Sequence, residues 1–227
     1  METPYGSWRS QITPDLFSKG NCKAICELIA TDSGVFWVEQ NFNGRRELYF
    51  CHEGINERIR WAAEQSVQNS VHEYGGGSFM PLSDGSVIYT TVEGVYIQKS
   101  HSDIPIQLVN SNNNMLRFAD FTASDNYVFC VNENHKSDGN PENQLISINR
   151  NTKEKNVVVS CLNFASGADF YASPRISPNG KKLVWMQWNH NNMPWDETSI
   201  HIARVLEDGT VTNEIKMKDG NGKNASY

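Results

Sequence analysis

One unit recurs four times along this chain, and that recurrence limits the folds open to it. Each copy has a turn carrying Gly or Asn, a strand rich in aromatics and valines, and a second strand behind it. Gly34-Val35-Phe36-Trp37-Val38-Glu39 passes through Asn43-Gly44 into Glu47-Leu48-Tyr49-Phe50, and Asp84-Gly85-Ser86-Val87-Ile88-Tyr89 leads into Gly94-Val95-Tyr96-Ile97. Both read as hairpins on Asx-Gly turns. In the third copy, strand 125–131 is separated from its partner 144–148 by a polar insertion from Asn132 to Asn143. The fourth runs from Asn179-Gly180 through Leu183-Val184-Trp185-Met186 to Ser199-Ile200-His201-Ile202-Ala203, again across a polar insertion. Starts at 34, 84, 125 and 179 give a period of about 40 to 55 residues, the length of a four-stranded propeller blade. The sequence predicts an all-β chain, a β-propeller of about four blades. Spacing alone leaves a sandwich with long loops open.

Each unit should open with an inner strand, and apolar stretches stand at Ala24 to Ala30, Ser78 to Leu82, Arg117 to Thr122 and Phe170 to Ile176. The segment Ile55 to Val67 reads as an outer strand from the alternation Arg58-Ile59-Arg60-Trp61, with a short helix as the alternative. After Asn213 the chain turns polar and Gly-rich. The expected organisation is therefore a partial propeller over 1–213 and a disordered tail over 214–227.

The formal net charge is −6 and the 20 Lys and Arg are scattered, which argues against a nucleic-acid partner. No apolar run has the length of a signal peptide or a membrane span, so a cytoplasmic protein with no membrane contact is expected. Cys22, Cys51, Cys130 and Cys161 lie far apart in apolar surroundings and read as buried free thiols. Cys22 and Cys26 alone make no metal site. No His pair has catalytic-zinc spacing, the loop 138–143 lacks the alternating acids of a calcium loop and reads as a surface turn, and no cofactor is expected. Asn224-Ala225-Ser226 is a glycosylation acceptor only in a secreted protein.

Several longer strings occur in a fixed order: Tyr5-Gly6-Ser7-Trp8 with Ser10-Gln11-Ile12-Thr13, then His72-Glu73-Tyr74-Gly75-Gly76-Gly77, then Asn134-His135 and Glu142-Asn143. They are followed by the run Ala168 to Gly180 and by Asn192-Met193-Pro194-Trp195-Asp196. Together these resemble the amino-terminal propeller of the prolyl oligopeptidase family of serine peptidases, in its acylaminoacyl-peptidase and dipeptidyl-peptidase branch. The resemblance implies a propeller of commonly seven or so blades capping an α/β-hydrolase domain, which carries a Ser-His-Asp triad and cuts short peptides. It also implies that this chain is the non-catalytic, substrate-gating portion and a fragment of such an enzyme. Gly76-Gly77-Ser78 comes closest to a nucleophile elbow, but Met80 stands at the fifth position and Pro81 follows where a helix should begin, so Ser78 is not expected to act. A propeller scaffold binding a protein through an exposed blade edge, and a metal-dependent propeller hydrolase, are the alternatives.

Four residues are candidates for the cavity. His72 and Glu73 either sense the charge of a peptide terminus or brace the blade as a structural pair. Arg175 either holds a substrate carboxylate or bridges blades through Asp169 or Asp196. Trp195 either touches a partner or a peptide, or packs across the fourth blade. The Gly75–Gly77 run reads as a bend in the chain more readily than as an anion cradle.

Overall fold

The computed structural model describes residues 4, 6, 23–62, 64–135, 139–163 and 166–219. Among the described residues, sixteen strands form four antiparallel sheets of four, each in simple chain order. Blade one holds β1 (Ala24–Thr31), β2 (Gly34–Gln40), β3 (Arg46–His52) and β4 (Arg58–Trp61). Blade two holds β5 (Phe79–Pro81), β6 (Val87–Thr91), β7 (Gly94–Gln98) and β8 (Ile106–Asn110). Blade three comprises β9 (Leu116–Ala123), β10 (Tyr127–Asn134), β11 (Glu142–Asn149) and β12 (Lys155–Ser160), and blade four β13 (Phe170–Ile176), β14 (Lys182–Trp188), β15 (Ser199–Val205) and β16 (Val211–Asp219). The four expected inner strands are β1, β5, β9 and β13, and the Ile55–Val67 segment contains the outer strand β4.

Period-2 alternation puts a different set of side chains on each face of a sheet, and the apolar sets meet between consecutive blades. Phe36, Val38, Leu48, Phe50 and Trp61 of blade one pack against Phe79, Val87 and Tyr89 of blade two. Ile88, Val95 and Leu108 of blade two meet Phe118, Val128, Cys130, Ile146 and Ile148 of blade three. The other side of blade three, with Phe129, Val131, Leu145 and Val159, packs on Tyr171, Leu183, Trp185 and Ala203 of blade four. The core is thus three interblade layers, each about as thick as any pair of packed sheets.

Four details differ from the sequence reading. The Asp84-Gly85 turn joins β5 to β6, and the β6–β7 hairpin turns at Val92-Glu93 instead. Glycine follows there because a Cβ on Gly94 would lie 2.0 Å from the Val109 carbonyl oxygen. Both ends of the polar insertion of blade three are strand: β10 runs to Asn134 and β11 begins at Glu142, with Asn132, Glu133 and Asn143 buried. Asn132 and Glu133 persist inside this sheet because Asn132 donates to the Arg117 carbonyl and Glu133 accepts from the chain that crosses the sheet at His72. The tail does not begin at 214, since β16 pairs with β15 as far as Asp219; Glu214 faces inward to His201 while Ile215 and Met217 face out, which inverts the usual pattern and hides the strand. Of the described cysteines Cys130 is buried, Cys51 half-buried, and Cys26 and Cys161 exposed; Cys26 lies on the edge strand β1 and Cys161 in the turn after the edge strand β12, which leaves both uncovered. Cys22, Asp138, Asn224 and the Tyr5, Ser7–Thr13 part of the family strings lie outside the described residues.

Candidate functional site

The inner strands all start at one end of the arc, and the chain reaches β5 there through a strained crossing. A single 3-10 turn, Val71–Glu73, is followed by Gly75, Gly76 and Gly77. His72, Glu73 and the three glycines all have left-handed φ, at 54°, 63°, 71°, 97° and 57°. For His and Glu such a conformation persists only if the surroundings enforce it. Gly77 is required for a second reason: a Cβ there would sit 2.4 Å from Asp120 Oδ1.

What enforces the turn is a carboxylate. Glu133 on β10 is 3% exposed. Its Oε1 accepts the backbone N–H of His72 at 3.1 Å, and its Oε2 lies 2.8 Å from His135 Nε2 and 3.4 Å from Arg117 Nη1. Arg117, directly opposite Glu133 on β9, also donates from Nη1 to Ser70 O at 2.9 Å and to Glu73 Oε1 at 2.6 Å. One guanidinium therefore ties the buried carboxylate to an exposed one, and charge-assisted hydrogen bonds hold both ends of the turn. The Glu73 carboxyl sits below its ordinary range, held first by the hydrogen bond from Arg117 and then by its charge.

His72 hangs between blades three and four. Its ring meets the rings of Phe170 and Trp188 edge-on at 5.7 and 5.4 Å, and those two stack at 5.4 Å. Its Nε2 is buried and faces the Asn143 side chain without a well-formed hydrogen bond. Burial lowers the His72 pKa, against the pull of Glu133 and Asp120, so the ring is neutral near pH 7.

Glu73, Glu133 and His135 bring three possible ligand atoms within 4.8 Å of one another. The donor set does not suit a metal ion, because Arg117 already supplies the positive charge between the two carboxylates and would have to be expelled. The cluster is better described as a brace that fixes a left-handed turn at the mouth of the arc.

The structure brings His72 and Glu73 together with this brace and separates the other two candidates from it. Arg175 lies near the opposite end of β13, on the face turned away from blade three, where among the described residues its Nη1 donates only to Pro174 O at 2.7 Å. Asp169 is engaged elsewhere, accepting from the His190 N–H, and Asp196 accepts from the Met193 N–H, so neither expected bridge from Arg175 forms. Trp195 is 61% exposed in the connection between β14 and β15, and so does not pack across the fourth blade.

Sequence reasoning missed Glu133, Arg117 and Asn143 as site residues. Asn134-His135 and Glu142-Asn143 marked the neighbourhood, but only the register of β9, β10 and β11 shows that Arg117, Glu133 and Asn143 share one face. It also missed a chain of hydrogen bonds in blade four that runs through the buried His201. Ser199 Oγ lies 2.8 Å from His201 Nε2, His201 Nδ1 lies 2.6 Å from Glu214 Oε1, and Glu214 Oε2 accepts from Ser166 Oγ at 2.5 Å. The order is that of a hydrolytic triad. Yet His201 is 1% exposed beneath Trp185, and Ser199 sits in a paired strand whose neighbours occupy its backbone. With the imidazole sealed in the sheet and Ser199 held in its ladder, this chain of bonds stitches β16 to the blade.

No family profile and no curated protein matches the sequence. Among solved structures, the chain is similar to a puromycin-hydrolyzing peptidase of Mycobacterium tuberculosis, at 28% identity and a TM-score of 0.77, over 96% of this chain and 35% of that one. It is also similar to the S511A mutant of puromycin hydrolase complexed with PGG, at 25% identity, TM-score 0.76, 96% of this chain and 36% of that one. Regucalcin, a calcium-binding protein of Agrobacterium tumefaciens, matches at 11% identity and TM-score 0.54 over 86% of this chain and 59% of that one, which shows the fold alone. The chain thus resembles the amino-terminal propeller of prolyl-oligopeptidase-type serine peptidases. It spans about a third of the length of the peptidases it matches.

Proposed function

We propose that this chain is the substrate-gating propeller portion of a serine peptidase acting on short peptides, and that it does not hydrolyse them itself. The observation that carries the reading is the pairing of 96% coverage of this chain with 35% coverage of the Mycobacterium tuberculosis peptidase at a TM-score of 0.77. A peptidase built this way keeps its nucleophile on the hydrolase domain and uses the propeller mouth to restrict access. The braced turn at His72–Glu73 supplies a rigid rim for that mouth, with an exposed carboxylate on it. Free thiols at Cys26, Cys51, Cys130 and Cys161 favour a reducing compartment, in keeping with the cytoplasm. Among the described residues no helix is long and apolar enough to cross a membrane.

The test is fluorophosphonate labelling of the polypeptide that carries this sequence in its source cells, beside the purified 227-residue chain. Labelling in the first and none in the second is expected, with hydrolysis confined to short peptides. Labelling of the 227-residue chain, abolished by Ser78→Ala, would sink the proposal.

A further inference from the structure

The guanidinium of Arg117 is engaged on one side only. Its Nη1 makes every contact of the brace, to Ser70 O, Glu73 Oε1 and Glu133 Oε2. Nε is buried without a hydrogen-bond partner, and among the described residues Nη2 donates to nothing. Nε and Nη2 form one edge of the planar group, and its two parallel N–H bonds match the two oxygens of a carboxylate. A buried donor left unmet is costly. An arginine with only 16% of its side chain exposed and a whole edge unengaged therefore calls for an acceptor that the described residues do not supply.

Charge decides how such an acceptor can enter, because Arg117 already lies between two carboxylates. Glu133 is fixed in place: it is buried, and its Oε1 holds the His72 N–H. Glu73 is not. Its side chain is 75% exposed on a backbone of left-handed φ, and a surface ion pair of this kind is given up for about 1 kcal/mol or less. A carboxylate arriving on the Nε–Nη2 edge would add a third negative group around one cation, whereas exchange with Glu73 keeps the balance of charge unchanged. The turn outlasts the exchange, since the bond from Glu133 to the His72 amide does not involve Glu73. Glu73 is thus a stand-in, held by the guanidinium until an outside carboxylate replaces it.

We propose that Arg117 is a carboxylate receptor at the mouth of the arc, with Glu73 as its built-in competitor, and that it takes short peptides carrying a carboxylate at the terminus or on a side chain. The peptide rests on the gating reading, and the carboxylate on Arg117 itself. Binding is the readout, so a failure here is distinct from a failure to label with fluorophosphonate. The full-length polypeptide that carries this sequence, treated with fluorophosphonate so that no peptide is cut, is titrated calorimetrically with three tripeptides. All have a free amine: one of alanine, the same peptide amidated at its carboxyl end, and an amidated one with aspartate at its centre. At least one of the two carboxylate peptides should bind about tenfold more tightly than the peptide without one, as a charge-assisted hydrogen bond requires. Which of them does so tells a terminal from a side-chain carboxylate. Glu73→Gln, which removes the competitor, should tighten that binding about threefold. Arg117→Lys keeps the charge and loses the edge, and should abolish the preference; where it fails to fold, Glu73→Gln decides alone. Equal affinity for all three peptides, no binding of any, or weaker binding of the carboxylate peptide by Glu73→Gln overturns the proposal.

Discussion

The two outermost faces of the arc were built from the same strand pattern and finished differently. On blade one the outward side carries Trp37 stacked on Tyr49 at 5.7 Å, with the Arg58 guanidinium 4.7 Å above the Tyr49 ring. Glu39 binds Lys23 and Arg58, and Glu47 binds Arg60 and the Tyr49 hydroxyl. Long side chains spread over the rings and keep their charges in water. On blade four the equivalent side leaves Val184, Ile202 and Ile215 beside cations that have no acidic partner among the described residues. A solvated sheet face is kept soluble by polar side chains; among the described residues blade one supplies them, whereas the outward face of blade four does so only at its cations. Ile25 and Leu28 stay exposed even on blade one, so its roof is partial.

The contrast can be broken first at the core. Trp185→Ala, in the layer between blades three and four, should cost about 3–5 kcal/mol, while Trp37→Ala on the half-exposed face of blade one should cost well under half as much; urea unfolding of both variants decides it. A similar loss from the two would mean that the outward face is as tightly packed as the interior. Glu133→Ala should come next, at about 3–5 kcal/mol as a buried ion pair loses one partner, and hydrogen exchange at the His72 amide should accelerate. Arg58→Ala, which removes an exposed ion pair and a cation–ring contact, should cost about 1 kcal/mol or less.

Acid should divide the molecule along the same line. Burial lowers the pKa of both His72 and His201 from the ordinary 6.5, against the opposing pull of Glu214 on His201. A histidine whose folded pKa is depressed lends stability that is complete above its unfolded value and is lost as pH falls below it. The layer between blades three and four should therefore weaken below about pH 6.5. Glu39 is raised by burial, but hydrogen bonds from Lys23 and Trp37 and the charges of Lys23 and Arg58 outweigh this and leave it low, so the roof of blade one should persist until pH falls below the ordinary Glu value of 4.5. Tryptophan emission followed from pH 8 to 4 checks this, and a transition unchanged in His201→Gln would remove His201 from the account. Smallest of all, Arg175→Glu should change the stability of the 227-residue chain by no more than about 0.5 kcal/mol, because among the described residues its exposed guanidinium bonds only the neighbouring Pro174 carbonyl.

The strands were legible where side chains alternate and turns carry Gly or Asn, as in Gly34–Glu39 and Leu183–Met186. They were hidden where polar residues face inward: Asn132, Glu133 and Asn143 look like loop in a string of letters and are strand because they bond across a sheet. β16 was hidden for the same reason, with Glu214 inside and Ile215 outside. The site was half legible. His72-Glu73 and the glycines mark a turn by themselves, but the carboxylate that holds it lies 61 residues away, and only strand register connects them. Arg175 drew notice as a charged residue in an apolar strand, and its direction follows from a bulge that no local pattern announces.

Asp120 does one thing more than pair with a neighbour. Its N–H donates to Gly77 O of the segment entering blade two at 2.9 Å, and its Oδ2 accepts the N–H of Ser173 in blade four at 3.2 Å. A single residue, with backbone on one side and carboxylate on the other, thus sets the angular step from blade two to three and from three to four. The joint between neighbouring sheets in this arc is thus hinged at a single polar residue as well as packed along its apolar layers, and lengthening that side chain by one methylene in Asp120→Glu would strain both hinges together.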